Sequence, residues 1–307
     1  MNLRLVSIVA VVAGCNLSSS GQLGHAQFAW ANCAIDDCAV RDGAIAAGGA
    51  QDRIQVTLAP GYSVAQVRSS NPGVATFALE ANPAVVDVTG VAAGQAQLEL
   101  LDAKGQLVDQ AAIAVADVAQ LTVDPIWQGT SSRALLEGAT LPFHVTTENV
   151  PGNTLYGTGA VQFDFTGTLR RIAGLTIGDE VFVGGDAGTG TVTARTAEVA
   201  LVESITVVSA GDVTSLAATA HPGQPSTSNL GFTQEVDVVA GSAAGSLYGA
   251  ACSWTVSDPT SVAVAEQLPA TSGGQTAETT LFTLAQPGQF SAVCTIGAQS
   301  ATVQLQR

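Results

Sequence analysis

Three histidines, 25 carboxylates and five cysteines are the side chains of this 307-residue chain with chemistry to offer. Their spacing decides what that chemistry is. His25, His144 and His221 are scattered, and a zinc site from Cys33, Cys38, Cys252 and Cys294 would need C-x2-C-like intervals with a nearby histidine, which the chain lacks. Gly241-Ser242-Ala243-Ala244-Gly245 sets its serine one place early for a G-x-S-x-G nucleophile elbow, and no strand–helix context follows. It reads as a Ser/Gly loop. Gly184-Gly185-Asp186-Ala187-Gly188-Thr189-Gly190 precedes a strand rather than a helix, so it lacks the helix N-terminus that cradles phosphate and reads as a hairpin turn. Asp179, Glu180 and Asp186 near that turn could chelate Ca²⁺, but without EF-hand spacing they read as solvated loop carboxylates. Asp36-Asp37 between Cys33 and Cys38 reads as the exposed tip of a small loop. Nothing here builds an active site: the chain is expected to be no enzyme and to hold no metal or cofactor.

The elements that carry these residues read as strands. Ala96, Leu98 and Leu100 alternate with polar neighbours, as do Val161, Phe163 and Phe165, and Val303 and Leu305. Turn signals separate such runs: Asn71-Pro72-Gly73, Pro151-Gly152-Asn153, Ser257-Asp258-Pro259 and Pro287-Gly288. No segment sustains a helical apolar period, so the chain is expected to be all-β, in short strands of the sandwich kind. The strands repeat. Ser70-Asn71-Pro72-Gly73-Val74-Ala75 finds a partner in Ser257-Asp258-Pro259-Thr260-Ser261-Val262-Ala263, and a glycine turn into a strand follows each, at Gly94 and Gly288.

Charged residues make up 11% of the chain and its net charge is −15, with one lysine, Lys104. Without residues 1–14, which include Arg4, nine basic residues face 25 acidic ones, a net −16. Such a surface repels phosphate backbones, so a nucleic-acid partner is not expected.

The chain begins with a basic residue, Arg4, an apolar run from Leu5 to Val12, and the small residues Ala13 and Gly14 before Cys15. This is the pattern of a secretory signal, too short to span a bilayer. Val12-Ala13-Gly14-Cys15 resembles the lipobox of bacterial lipoproteins, whose consensus favours Leu where Val12 stands. The resemblance implies that Cys15 is S-acylated, becomes the mature N-terminus and attaches the protein to a membrane. Asn16 after the cysteine implies the outer membrane. With Cys15 set aside, four cysteines remain in an oxidising compartment, and of the three pairings the local ones, Cys33–Cys38 and Cys252–Cys294, are simplest. Cys252 and Trp254 lie two apart and so face one way, and Cys294 shares a face with Phe290, Ala292 and Ile296. A bridge between those strands is expected to pin two sheets together beside the indole.

The S-[ND]-P-x-V-A string followed by a Gly turn, with Val88-Thr89-Gly90-Val91-Ala92-Ala93-Gly94-Gln95-Ala96-Gln97-Leu98, resembles the bacterial immunoglobulin-like domain, group 2. Trp254 stands at that family's tryptophan position in the last repeat, where Val67 stands in the first; the middle of the chain matches weakly. The resemblance implies tandem immunoglobulin-like β-sandwiches and carries no catalytic residues.

The expected organisation is a signal peptide (1–14), a lipidated cysteine and tether with a small disulfide loop (15–39), and three sandwiches (40–118, 119–203 and 204–307). Joined by a few residues each, the sandwiches are expected to extend about 100–130 Å. Trp127 and Tyr156 are expected at the edges of cores. Trp30, in the tether, points to docking on the first sandwich or to contact with the membrane interface. The expected function is a non-enzymatic, membrane-anchored lipoprotein of the cell envelope. It would act as a structural, adhesive or binding arm for an unidentified protein or glycan. The other reading is a carbohydrate-binding accessory subunit of a secreted hydrolase system, which would show a row of exposed aromatics.

Overall fold

The computed structural model describes residues 18–31, 38–82, 84–123, 134–177, 180–225, 232–268 and 278–307, and the chain divides into two compact units. Alternating burial drives the strands: in Ala50–Leu58 the residues Ala50, Ile54 and Val56 face inward between exposed Gln51, Arg53 and Gln55.

The first unit takes in the described residues up to Ala119 together with Thr147–Ala160. It opens with β1 (Ser19–Ser20), β2 (Ala26–Trp30), β3 (Ala44–Ala46), β4 (Ala50–Leu58) and β5 (Gln66–Ser69). β6 (Ala75–Leu79), β7 (Val85–Gly90), β8 (Gly94–Leu101) and β9 (Leu107–Ala116) follow. One sheet has the order β1-β2-β4-β7-β6 and the other β3-β9-β8-β5. Stripped of β1 and β3, this is the A-B-E-D and C-F-G arrangement of a constant-type immunoglobulin domain. Phe28, Trp30, Ile45, Ile54, Val86, Leu98, Leu100 and Ile113 are buried in this unit. Ser19 to Trp30, part of the expected tether, thus supply two strands of the first sheet, and Ala26, Phe28 and Trp30 of β2 face inward.

The second unit takes Gln120–Thr146 and Val161–Arg307. Along the chain come β10 (Gln120–Val123), β11 (Ala134–Leu136), β12 (Leu141–Val150), β13 (Asn153–Thr154, within the residues of the first unit), β14 (Gln162–Ile177), β15 (Glu180–Arg195) and β16 (Ala200–Val208). Then come β17 (Val213–Ala220), β18 (Gln224–Pro225), β19 (Phe232–Ser242), β20 (Gly245–Tyr248) and β21 (Ser253–Val256). β22 (Val262–Leu268), β23 (Glu278–Leu284), β24 (Gln289–Ile296) and β25 (Gln299–Gln306) close it. β17 pairs with β19, which leads to β23 and β22, while β21-β24-β25 form a separate sheet. This is A-B-E-D and C-F-G again.

The middle of the chain builds the same order from fewer, longer strands. β15 pairs with β12 through Glu180–Val183 and with β16 through Gly188–Arg195, and β14 accompanies it along both halves. Each 16-residue strand therefore serves first one sheet and then the other, with β10 beside β12, and β11 parallel to β16. The Gly184–Gly190 string, expected as a hairpin turn, is the interior of β15 where this crossing occurs. A Cβ at Gly190 would run into the carbonyl of Thr166, and one at Gly185 would lie 2.6 Å from that of Thr168. Glycine there lets two backbones approach where strands change sheets through bulges. The expected border at residues 203–204 falls inside β16, whereas the joint near 117–120 lies between β9 and β10.

The repeat seen in the sequence is one turn built twice. The carbonyl of Asn71 accepts the amides of Val74 and Ala75 at 3.0 and 3.1 Å, and that of Asp258 those of Ser261 and Val262 at 3.2 and 3.0 Å. Each turn leads into the terminal strand of its sheet, β6 and β22.

Candidate functional site

In the first unit, β9 runs with Asp109, Ala111, Ile113 and Val115 facing inward, and Asp109 is fully buried. Its carboxylate accepts the backbone amides of Leu23 at 2.8 Å and of His25 and Ala26 at 2.7 Å each, so it seats the β1–β2 turn on the sandwich. Gly21 is required at that turn, since a Cβ there would run into the Asp109 carboxylate. His25 bonds the Val108 carbonyl through Nδ1 at 2.8 Å and stacks on Tyr62 with ring centroids 4.1 Å apart. A carboxylate in phase with three apolar residues of β9 was the signal in the sequence for this clasp.

Beside that end of the sandwich an apolar groove of about 490 Å³ is lined by Val56, Thr57, Leu58, Tyr62, Ser63, Val64 and Ala84. Its walls offer contact and hydroxyl hydrogen bonds but no carboxylate, imidazole or thiol for acid–base or nucleophilic chemistry.

In the last sandwich His221 Nε2 lies 2.7 Å from Asp237 Oδ2, and Thr279 donates its hydroxyl to Asp237 Oδ1 at 2.9 Å. A nucleophilic relay needs the hydroxyl on the imidazole; here the carboxylate stands between them. The hydrogen bond to Asp237, its charge, and then that of Glu235 raise the His221 pKa above its ordinary 6.5. A raised pKa stabilises the folded chain fully below the unfolded value, and this contribution fades as pH climbs through the folded one. His221 is exposed and Asp237 partly so, so salt screens the effect. NMR titration of the imidazole is expected to place the His221 midpoint above 6.5, and Asp237→Asn should lower it toward that value; an unchanged midpoint in the variant would refute the pairing.

Cys252 and Cys294 form a disulfide with Cα atoms 5.2 Å apart. Trp254 pairs in register with Cys294, so the bridge runs diagonally between β24 and the residue preceding β21, neighbours in one sheet. It does not pin two sheets, as the sequence had suggested; the indole does. Trp254 packs against both buried clusters of this sandwich, meets Phe282 edge-to-face at 4.9 Å and donates Nε1 to Thr280 Oγ1 at 3.2 Å. Leu100, opposite Val67, holds in the first unit the place of Cys294 opposite Trp254.

Cys15, Cys33, Asp36, Asp37, Trp127 and Asp179 lie outside the described residues. Cys38 is disulfide-bonded. Asp186 pairs with Arg170 at 2.9 Å, and among the described residues no three His, Cys, Asp or Glu side chains gather as a metal would need. Ser242 accepts the Ala244 amide at 3.1 Å within the β19–β20 turn, the Ser/Gly loop expected. Trp30 is 2% exposed and stacks on Tyr156 at 4.8 Å, which settles it in the first sandwich. Among the described residues no helix is long and apolar enough to cross a membrane.

No family model and no curated protein matches the chain. Among solved structures it is similar to domains 4–9 of the surface layer protein SbsC, at 17% identity over 82% of this chain and 42% of that one, with a TM-score of 0.30. It is also similar to the I-band fragment I67–I69 from titin, at 10% identity over 85% and 93% of the two chains, with a TM-score of 0.22. The chain spans about two fifths of the S-layer fragment's length. These likenesses are too distant to carry argument, and the immunoglobulin-like assignment rests on the strand order.

Proposed function

We propose that this chain is a non-enzymatic lipoprotein of the cell envelope, held to the outer membrane through acylated Cys15 and acting as a structural or adhesive arm of immunoglobulin-like sandwiches of the group 2 kind. The observation that supports this reading is the A-B-E-D and C-F-G strand order that recurs along the chain, with polar side chains that hold its turns. Asp109, Asp258 and Ser242 each bind backbone amides of a turn. The carbohydrate-binding alternative finds no such support. Among the described residues Tyr62 is the single aromatic classed as exposed, while Trp30 and Tyr248 are buried.

One acyl chain binds a bilayer marginally, so durable anchoring takes two or more, at about 0.8 kcal/mol for each buried methylene. Cys15→Ser is expected to move the protein from carbonate-washed membranes to the soluble fraction or to leave it unprocessed. Retention of the Ser variant on washed membranes would exclude lipid anchoring.

A further inference from the structure

We propose that β11 clasps the middle and last sandwiches into one cooperatively folding body, so that neither opens without the other. The inference rests on the fold and stands whether or not the chain is lipidated. Ala134, Leu135 and Leu136 run parallel to Thr206, Val207 and Val208 of β16, which makes β11 part of the middle sandwich. Its other edge pairs with β20 of the last sandwich, Ala134 with Leu247 and Leu135 with Tyr248. Both edges of this short strand are thus hydrogen-bonded, one to each sandwich.

Its side chains are buried as well. Leu135 is fully buried, and Ala134 and Leu136 join Val208 of β16 in one apolar cluster with Val238, Leu247, Cys252, Cys294 and Ile296 of the last sandwich. Independent domains of one chain usually meet through more polar, transient contacts. Opening the last sandwich alone would strip one edge of β11 and leave Leu136 without its core, and buried backbone groups left unpaired are costly. Opening the middle one alone would remove β16 from the other edge. The sequence hides this, because Ser131 to Gly138 reads as one helical turn or two, and a strand of three residues is too short to show a periodicity.

Hydrogen exchange by mass spectrometry on the full chain tests it, comparing the protein with its Cys252→Ala, Cys294→Ala variant, which leaves the bond at Cys38 intact. Exchange in β15 and β16 is expected to rise with that in β24 and β25 by the same factor, on the order of a thousand, while β7 to β9 stay unchanged. Faster exchange confined to β24 and β25 would overturn the proposal. The reciprocal variant, Phe143→Ala in the middle core, should speed exchange in β24 and β25 as much as in β15 and β16. Faster exchange in the middle sandwich alone would overturn it equally.

Discussion

Asp109→Ala is expected to destabilise the first unit by about 3–5 kcal/mol, read from chemical denaturation of the full chain. The magnitude follows from three amides of the β1–β2 turn, those of Leu23, His25 and Ala26, that lose their acceptor at once. Each buried donor left unsatisfied costs roughly 1–3 kcal/mol, and undocking of the turn sets a ceiling, since freed amides then meet water. The loss should appear first locally, as faster hydrogen exchange over residues 19–30 than over β7 to β9. Asp109→Asn should recover little, because its amide nitrogen would face donors rather than accept from them. A loss below about 1 kcal/mol in the alanine variant would show that the carboxylate does not hold the turn.

Reduction of Cys252–Cys294 is expected to lower the stability of the second unit by about 4 kcal/mol, the chain-entropy value for a closed loop of 42 residues. Cys294 is fully buried and Cys252 nearly so, which leaves two thiols packed against Trp254 once the bond is gone. Trp254 fluorescence should therefore report the transition, and its midpoint in denaturant should fall on addition of reductant. In a Cys252→Ala, Cys294→Ala variant, which leaves the bond at Cys38 intact, the first unit, with Leu100 in the place of Cys294, should keep its midpoint. An unshifted Trp254 transition would mean that the indole and its neighbours, rather than the bridge, define the stability of this core.

Much of the fold was legible in the residues because it is written locally. Alternation placed Ala96, Leu98, Leu100, Val303 and Leu305 on inward faces, all of them buried. The Asn71 and Asp258 strings announced the same turn twice, because a carbonyl that accepts amides three and four residues on needs no distant partner. The local pairing of Cys252 with Cys294, the simplest of three that parity allows, is the one formed. What depends on distant segments was not legible. β1 and β2 were missed because serine and alanine give little hydrophobic contrast, and the register of β2 against β4, that of β1 against β2 and the clasp of their turn by Asp109 make them strands. Glycines 184 to 190 look like a turn in one dimension. Their role in a strand is set by the carbonyls of Thr166 and Thr168, some twenty residues upstream. Sequence alone determined the all-β class and the repeated turns, since these follow from periodicity and short-range hydrogen bonding. Which sheet each cysteine joins, where strands cross between sheets and how β11 is shared were decided by tertiary packing, because a backbone edge or a buried carboxylate acquires its partner only when remote segments meet.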